Sequence, residues 1–243
     1  MPFERPLSRS AAKQTMPETI ERLKRTIKVG LLTAQTQIDR IQLRRRPTRA
    51  PVILFLGDSR AKAWPAPETV GPHIFLNRGV GFDTSRQVLQ RLPIHVAPLC
   101  PQIVVVQAGI NDCKELLLAP QKHAIIIEET LTTLRHIVEQ VRATGAHVVL
   151  STIFPVGNAP ISGTKSFWGI DQPEAAMQVR NAVIQINQDL VALHPADVTI
   201  FDAAKLLQNA AGWLDTAYAR DELHINAAGY QRLNQALGPL LQI

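Results

Sequence analysis

Two cysteines in 243 residues, Cys100 and Cys113, provide no disulfide framework, which fits a reducing compartment. No stretch approaches eighteen uninterrupted apolar residues, so no transmembrane helix is expected. The first thirty residues lack the apolar core of a signal peptide; Arg5, Arg9 and Lys13 stand there among Pro, Ser and Gln. Cytoplasm is the expected location. Charged residues are few at 19%, against 46% hydrophobic, the balance of a soluble globular chain. Positive charge is also missing from most of the chain. Residues 1–50 hold twelve Lys/Arg and four Asp/Glu, a net +8, and the whole chain carries +6, leaving residues 51–243 at −2. The basic balance therefore gives no reason to expect nucleic acid as a partner of the body. His73, His95, His123, His136, His147 and His194 form no metal-ligand spacing, so no metal is expected.

What the chain does contain begins with an amphipathic segment. Thr15 and Glu18 make a capping-box pattern, and Ile20, Leu23, Ile27, Leu31, Ala34, Ile38 and Ile41 follow at a mean step of 3.5 residues. Arg44, Arg45 and Arg46 suit the negative end of that helix, and Pro47 ends it. The chain thus divides into a basic N-terminal segment, 1–50, and a body, 51–243. From Pro51 on, apolar runs alternate with helical patterns. Strands are expected at Val52–Leu56, His73–Leu76, Ile103–Gln107, Val148–Ile153 and Val198–Phe201. Helices are expected near Thr84–Leu92, His123–Thr144, Pro173–Leu193 and Asn226–Leu241. Such alternation predicts an α/β fold whose parallel five-stranded sheet lies between helices, in the flavodoxin-like order 2-1-3-4-5.

In an open parallel sheet, functional residues gather beyond the carboxyl ends of the strands. Ser59 follows the first strand, Gly79 the second and Asn111 the third, while Asp221 and His224 follow the fifth. Ser59 supplies a hydroxyl nucleophile, which needs a base near neutral pH. His224 is the side chain that titrates there, and Asp221, three residues earlier, can fix its tautomer. The backbone N–H groups of Ser59 and Gly79 and the Asn111 amide are the candidate oxyanion donors. Each motif alone reads as a turn or a cap; their conjunction in this order points to acyl transfer from an ester. Cys113, close behind Asn111, reads as a small filler.

These residues resemble the SGNH (GDSL-type) hydrolase family. Its four signature residues match Ser59, Gly79, Asn111 and His224, and its acidic partner matches Asp221. The run from Asn77 to Thr84 with Val88–Leu92, and the run Asp221–Asn226 with Gly229 and Tyr230, are similar to the platelet-activating-factor acetylhydrolase-like branch. The resemblance covers about residues 51–241. It implies a three-layer α/β/α sandwich, a shallow open site, and neither metal nor organic cofactor. It also implies a carboxylic ester hydrolase acting on a lipid, glycan or small metabolite. One departure stands out: after the serine the family has a small apolar residue and then Ser or Thr, where this chain has Arg60 and Ala61. Arg60 is either a solvated helix-start residue or a contact to an anionic part of the substrate.

Other readings compete. An α/β-hydrolase elbow needs Gly two residues after the serine, and Ala61 stands there; the fused Asp221 and His224 also argue against it. An acyltransferase would share the acyl-enzyme and pass the acyl group to a sugar hydroxyl. A non-catalytic binding protein on the same fold would not need the intact Ser59, Asp221 and His224. The long loop between Phe154 and Asp171, with Phe167 and Trp168, either supplies an apolar wall to the site or is pinned by those aromatics. For the N-terminal helix, packing on its own body or pairing with another copy competes with contact to an anionic membrane. Its stripe lacks the Trp and Phe typical of interfacial helices.

Overall fold

The computed structural model describes residues 9–45, 50–68, 73–158, 173–193, 195 and 197–242. Helix α1 (Arg9–Arg45) leads into strand β1 (Val52–Gly57) and the short helix α2 (Ser59–Lys62). Then come β2 (Ile74–Gly79), α3 (Ser85–His95), β3 (Ile103–Gln107), α4 (Ile110–Cys113) and α5 (His123–Arg142). Strand β4 (His147–Ser151), α6 (Pro173–Leu193), β5 (Thr199–Phe201), α7 (Ala203–Leu207) and α8 (Ala227–Leu237) complete the order. The strands pair in the order β2-β1-β3-β4-β5, all parallel, as the alternation predicts.

The sheet separates two cores because successive side chains point to opposite faces. Leu54, Leu56, Val104, Val106, Val148 and Leu150 face α3, α5 and α6. Ile53, Phe55, Ile103, Val105, Val149 and Phe201 face Trp64, α7 and α8. Strands β1, β3 and most of β4 are therefore buried on both sides, which is why they read as continuous apolar runs. Trp64 stacks on Phe55 at 5.4 Å and meets Phe154 edge-on at 5.5 Å. Its indole N–H donates to Asn234 Oδ1 at 2.7 Å, so the buried ring leaves no polar group unpaired.

Helix α1 departs from expectation twice. It extends upstream through Thr15 and Pro17 to Arg9, so the capping-box pattern does not mark its start. Its apolar stripe also faces away from the body. The face toward the body carries Arg25, Thr33, Thr36 and Asp39, and among the described residues of α1 only Leu43 packs against the core. The physical reason is that the body offers buried Arg78, Asp83 and His95 on that side, which a polar helix face satisfies and an apolar one would strand. Among the described residues, no helix is long and apolar enough to cross a membrane.

Candidate active site

Beyond the carboxyl end of β1 the chain turns sharply. A Cβ at Gly57, where φ is +153°, would collide with the backbone carbonyl of Gln107 on β3, so only glycine lets the two strand ends come this close. Asp58 then caps α2, its Oδ1 accepting from the Arg60 backbone N–H at 2.8 Å. Ser59, half-buried, is the first residue of that helix.

The base arrives from the other end of the chain. Ser59 Oγ lies 3.1 Å from His224 Nε2. His224 Nδ1 lies 3.0 Å from both carboxylate oxygens of Asp221. Asp221 Oδ1 also accepts from the backbone N–H groups of Leu223 at 2.8 Å and His224 at 2.7 Å. Burial alone would raise the Asp221 pKa, but these hydrogen bonds from His224 and Leu223 outweigh it and hold the carboxyl well below the usual range. A permanently charged carboxylate facing Nδ1 keeps the proton on that nitrogen and leaves Nε2 free to accept. The loop closes on itself through Arg220 N–H to His224 O at 2.9 Å, and Asn226 caps α8 immediately after it.

Arg60 is fully buried and meets neither solvent nor substrate space, against both readings of it from sequence. Its guanidinium donates to Leu223 O at 2.9 and 2.7 Å, to Phe154 O at 2.8 Å and to Pro155 O at 3.2 Å. It also lies over the Phe154 ring at 5.5 Å, and its own carbonyl accepts from Tyr230 Oη at 2.8 Å. One side chain thus ties the turn that bears Ser59 to the loop that bears His224. Burial pushes the guanidinium down to about 10, against the opposing pull of Asp58, so it stays charged near neutrality.

The oxyanion side differs in one member. The Asn111 amide donates to Asp83 O at 2.9 Å and its Oδ1 accepts from Lys114 at 3.1 Å, which fixes its orientation and leaves its second N–H. The Gly79 N–H is already engaged: it donates to Asn77 Oδ1 at 2.8 Å. Glycine is required there because a Cβ would collide with the Lys62 backbone of α2. The next turn, closed by Asp83 N–H to Val80 O at 3.2 Å, holds Gly81 and Phe82, with Phe82 at φ +71°. Among the described residues, nothing accepts from the backbone N–H groups of Ser59, Gly81 or Phe82. A Cβ on Gly81 would lie 3.9 Å from Ser59 Cβ. A non-glycine residue in the left-handed region has no sequence signature, so this turn was not legible as a donor.

The rim is cationic. The same Cβ position on Gly81 lies 3.9 Å from Lys28 Nζ of α1. The exposed Phe82 ring sits between Lys28 Nζ at 5.5 Å and Lys114 Nζ at 5.7 Å. Burial lowers the Lys114 pKa to about 8. Cys113 is buried beneath, its thiol pushed up by burial. Phe167 and Trp168, and with them the proposed loop wall, lie outside the described residues. Among the described residues, no group of His, Cys, Asp and Glu could hold a metal ion.

The model of the GDSL-like lipase/acylhydrolase family matches residues 55–232, a span that includes Ser59, Asn111, Asp221 and His224. The chain belongs to this family. It is an SGNH-type carboxylic ester hydrolase. It is 26% identical over 204 residues to platelet-activating factor acetylhydrolase IB subunit alpha2 of Homo sapiens, covering 79% of this chain and 77% of that one. Among solved structures, a Streptococcus pneumonia protein named for platelet activating factor superposes with a TM-score of 0.67 at 24% identity, covering 96% of this chain and all (100%) of the other. A GDSL-like lipase of Bacteroides thetaiotaomicron follows with a TM-score of 0.61 at 18% identity, over 86% and 98% of the two chains. An acetylxylan esterase of Geobacillus stearothermophilus superposes at 0.53 and 19% identity, over 77% and 92%. At these identities the superpositions speak for the fold.

Proposed function

We propose that the SGNH hydrolase cleaves short-chain, chiefly acetyl, esters through an acyl-enzyme on Ser59. The observation that carries this is the continuous line from Ser59 Oγ through His224 Nε2 and Nδ1 to Asp221, with hydrogen-bond distances of 3.1 and 3.0 Å. Ser59 Oγ attacks the ester carbonyl carbon while its proton passes to His224 Nε2. The tetrahedral oxyanion is received by the Ser59 N–H, the Asn111 amide and an N–H of the Gly81–Phe82 turn, which replaces Gly79 in that role. The carbon–oxygen bond to the alcohol then breaks, and His224 returns the proton to the leaving oxygen. Water repeats the sequence on the acyl-enzyme: it gives its proton to His224, adds to the carbonyl, and releases the carboxylic acid as Ser59 recovers its proton. Asp221 stays charged throughout and stabilises the imidazolium.

Two acetyl-ester hydrolases among the named relatives support a short acyl chain. The ammonium groups of Lys28 and Lys114 beside Phe82 favour esters with an anionic group near the scissile bond. An ester panel from acetyl to octanoyl, with neutral and anionic alcohols, tests the reading. Acetyl esters turned over fastest, with turnover reduced by about 10³-fold or more in Ser59→Ala, is the expected result. Full activity in Ser59→Ala, or no turnover of any ester by folded protein, overturns it. Addition of sugar acceptors to the same assay separates hydrolysis from acyl transfer by the product formed.

A further inference from the structure

Helix α1 has two faces, and the body uses only one. Arg25 binds Asp83 at 2.7 Å, Thr33 Oγ1 lies 2.9 Å from His95 Nε2, and Asp39 binds Arg78; all three point inward. On a helical wheel of 100° per residue the opposite face carries Ile20, Leu23, Ile27, Leu31, Ala34, Ile38 and Ile41. The six large members are between 47% and 68% exposed. Among the described residues, thirteen large hydrophobics are exposed, and these six share one stripe on one helix while the rest are scattered. The stripe runs for about 33 Å at a rise of 1.5 Å per residue. It presents on the order of 500 Å² of contiguous apolar surface, the extent that marks a contact site rather than ordinary surface.

The residues beside the stripe indicate what covers it. Its margins from 26 to 42 hold Thr26, Gly30, Gln35, Gln37 and Gln42, none of them charged. The cations beside its middle turn the other way: Arg25 is paired with Asp83, Lys28 lies over Phe82, and Arg40 is half-buried. A helix lying on an anionic bilayer needs Lys and Arg along its apolar face and aromatic anchors within it; this stripe has no aromatic, and its flanking cations, Lys24, Arg44 and Arg45, stand only at its two ends. A like helix needs an apolar seam at about 3.5 residues per step, no repulsion along its edges, and small residues where the backbones come close. Gly30, where an added Cβ would meet nothing within 4 Å, and Ala34 supply a flat spot at the middle.

We propose that a second copy of this chain covers the stripe, the two α1 helices packing lengthwise with their catalytic bodies on the outside. The exposed apolar area matches the roughly 500 Å² per partner at the lower bound of a specific interface, and the Gln margins extend it. The contact leaves Ser59 and His224 untouched, because they lie on the inner side of α1.

Sedimentation velocity of the full chain from about 1 to 100 μM tests this, and a mass of two chains is expected. The double variant Leu31→Glu/Ile38→Glu should dissociate roughly 100-fold or more readily, with per-chain turnover of a neutral acetate ester unchanged. A fold-independent check uses Leu31→Cys in a Cys100→Ser background: a short bismaleimide should join two chains through position 31. A monomeric wild type across that range, a dimer that persists in the double variant, or failure of the cross-link in a folded protein each overturns the proposal. Wild-type monomer that sediments with phosphatidylserine vesicles overturns it too, assigning the stripe to a bilayer.

Discussion

Strands β1, β3 and β4 are buried almost throughout and meet the flanking helices through apolar side chains, whereas α1 meets the same body through Arg25, Thr33 and Asp39. The first seam is non-directional and tolerates small shifts. The second is a set of discrete charged and hydroxyl contacts, each with one geometry. Arg60 repeats the second kind of chemistry inside the first region, as a buried cation clamping three backbone carbonyls beside the nucleophile. The molecule thus uses apolar burial to build the sheet and directed polar contacts to position what surrounds the site.

The difference is open to direct attack. Phe55→Ala removes a buried ring that stacks on both Trp64 and Phe75 and is expected to cost about 4 kcal/mol in urea unfolding. A loss below about 1 kcal/mol would mean the sheet does not depend on that packing. Arg60→Met keeps the bulk and removes every donor, leaving the Leu223, Phe154 and Pro155 carbonyls unpaired. About 3 kcal/mol of stability should go. In addition kcat should fall at least ~10-fold with KM little changed, because the His224 loop is no longer held to the Ser59 turn. Arg60→Lys should restore part of both. Unchanged kcat in Arg60→Met would make the residue purely structural.

Asp39→Ala leaves Arg78 buried without its carboxylate and should cost about 2–3 kcal/mol, with protease cleavage appearing first in α1. Cleavage beginning instead in the body would show that α1 is not the weaker-held region. The smallest effect near neutrality belongs to His95, which burial, together with Arg91 and Arg78, pushes down to about 4. Because the folded pKa lies below the ordinary 6.5, the unfolded chain takes up a proton over that interval and the folded one does not. Its contribution is complete above about pH 6.5 and is lost as the pH falls towards 4. Thermal melts of wild type and His95→Gln should therefore diverge only in that window, with the wild type losing relatively more; parallel curves would refute the assignment.

The sequence makes the apolar region far more legible than the polar one, and for a physical reason. Continuous runs such as Val52–Leu56 and Ile103–Gln107 have few alternatives to a strand buried on both faces, so strand positions and order follow from them. Ser59, Asp221 and His224 are legible because their residue types and their places after strand ends answer one chemical need. Directed contacts leave no such trace. A buried Arg60 and a solvated one are the same letter. The Asn77 side chain that occupies the Gly79 N–H acts from two residues away on the same strand. Periodicity located the stripe on α1 but not its direction, because the body's buried Asp and Arg partners, Asp83 and Arg78, sit more than thirty residues downstream in motifs that read as turn and strand.

The central claim, that Ser59 is the activated hydroxyl, is tested most directly by labelling the full chain with a fluorophosphonate and mapping the adduct by mass spectrometry. One phosphonyl group on Ser59 is predicted, formed at a rate that collapses in His224→Ala although Ser59 is still present. Labelling at any other residue, or equal labelling of Ser59 without His224, would contradict the account.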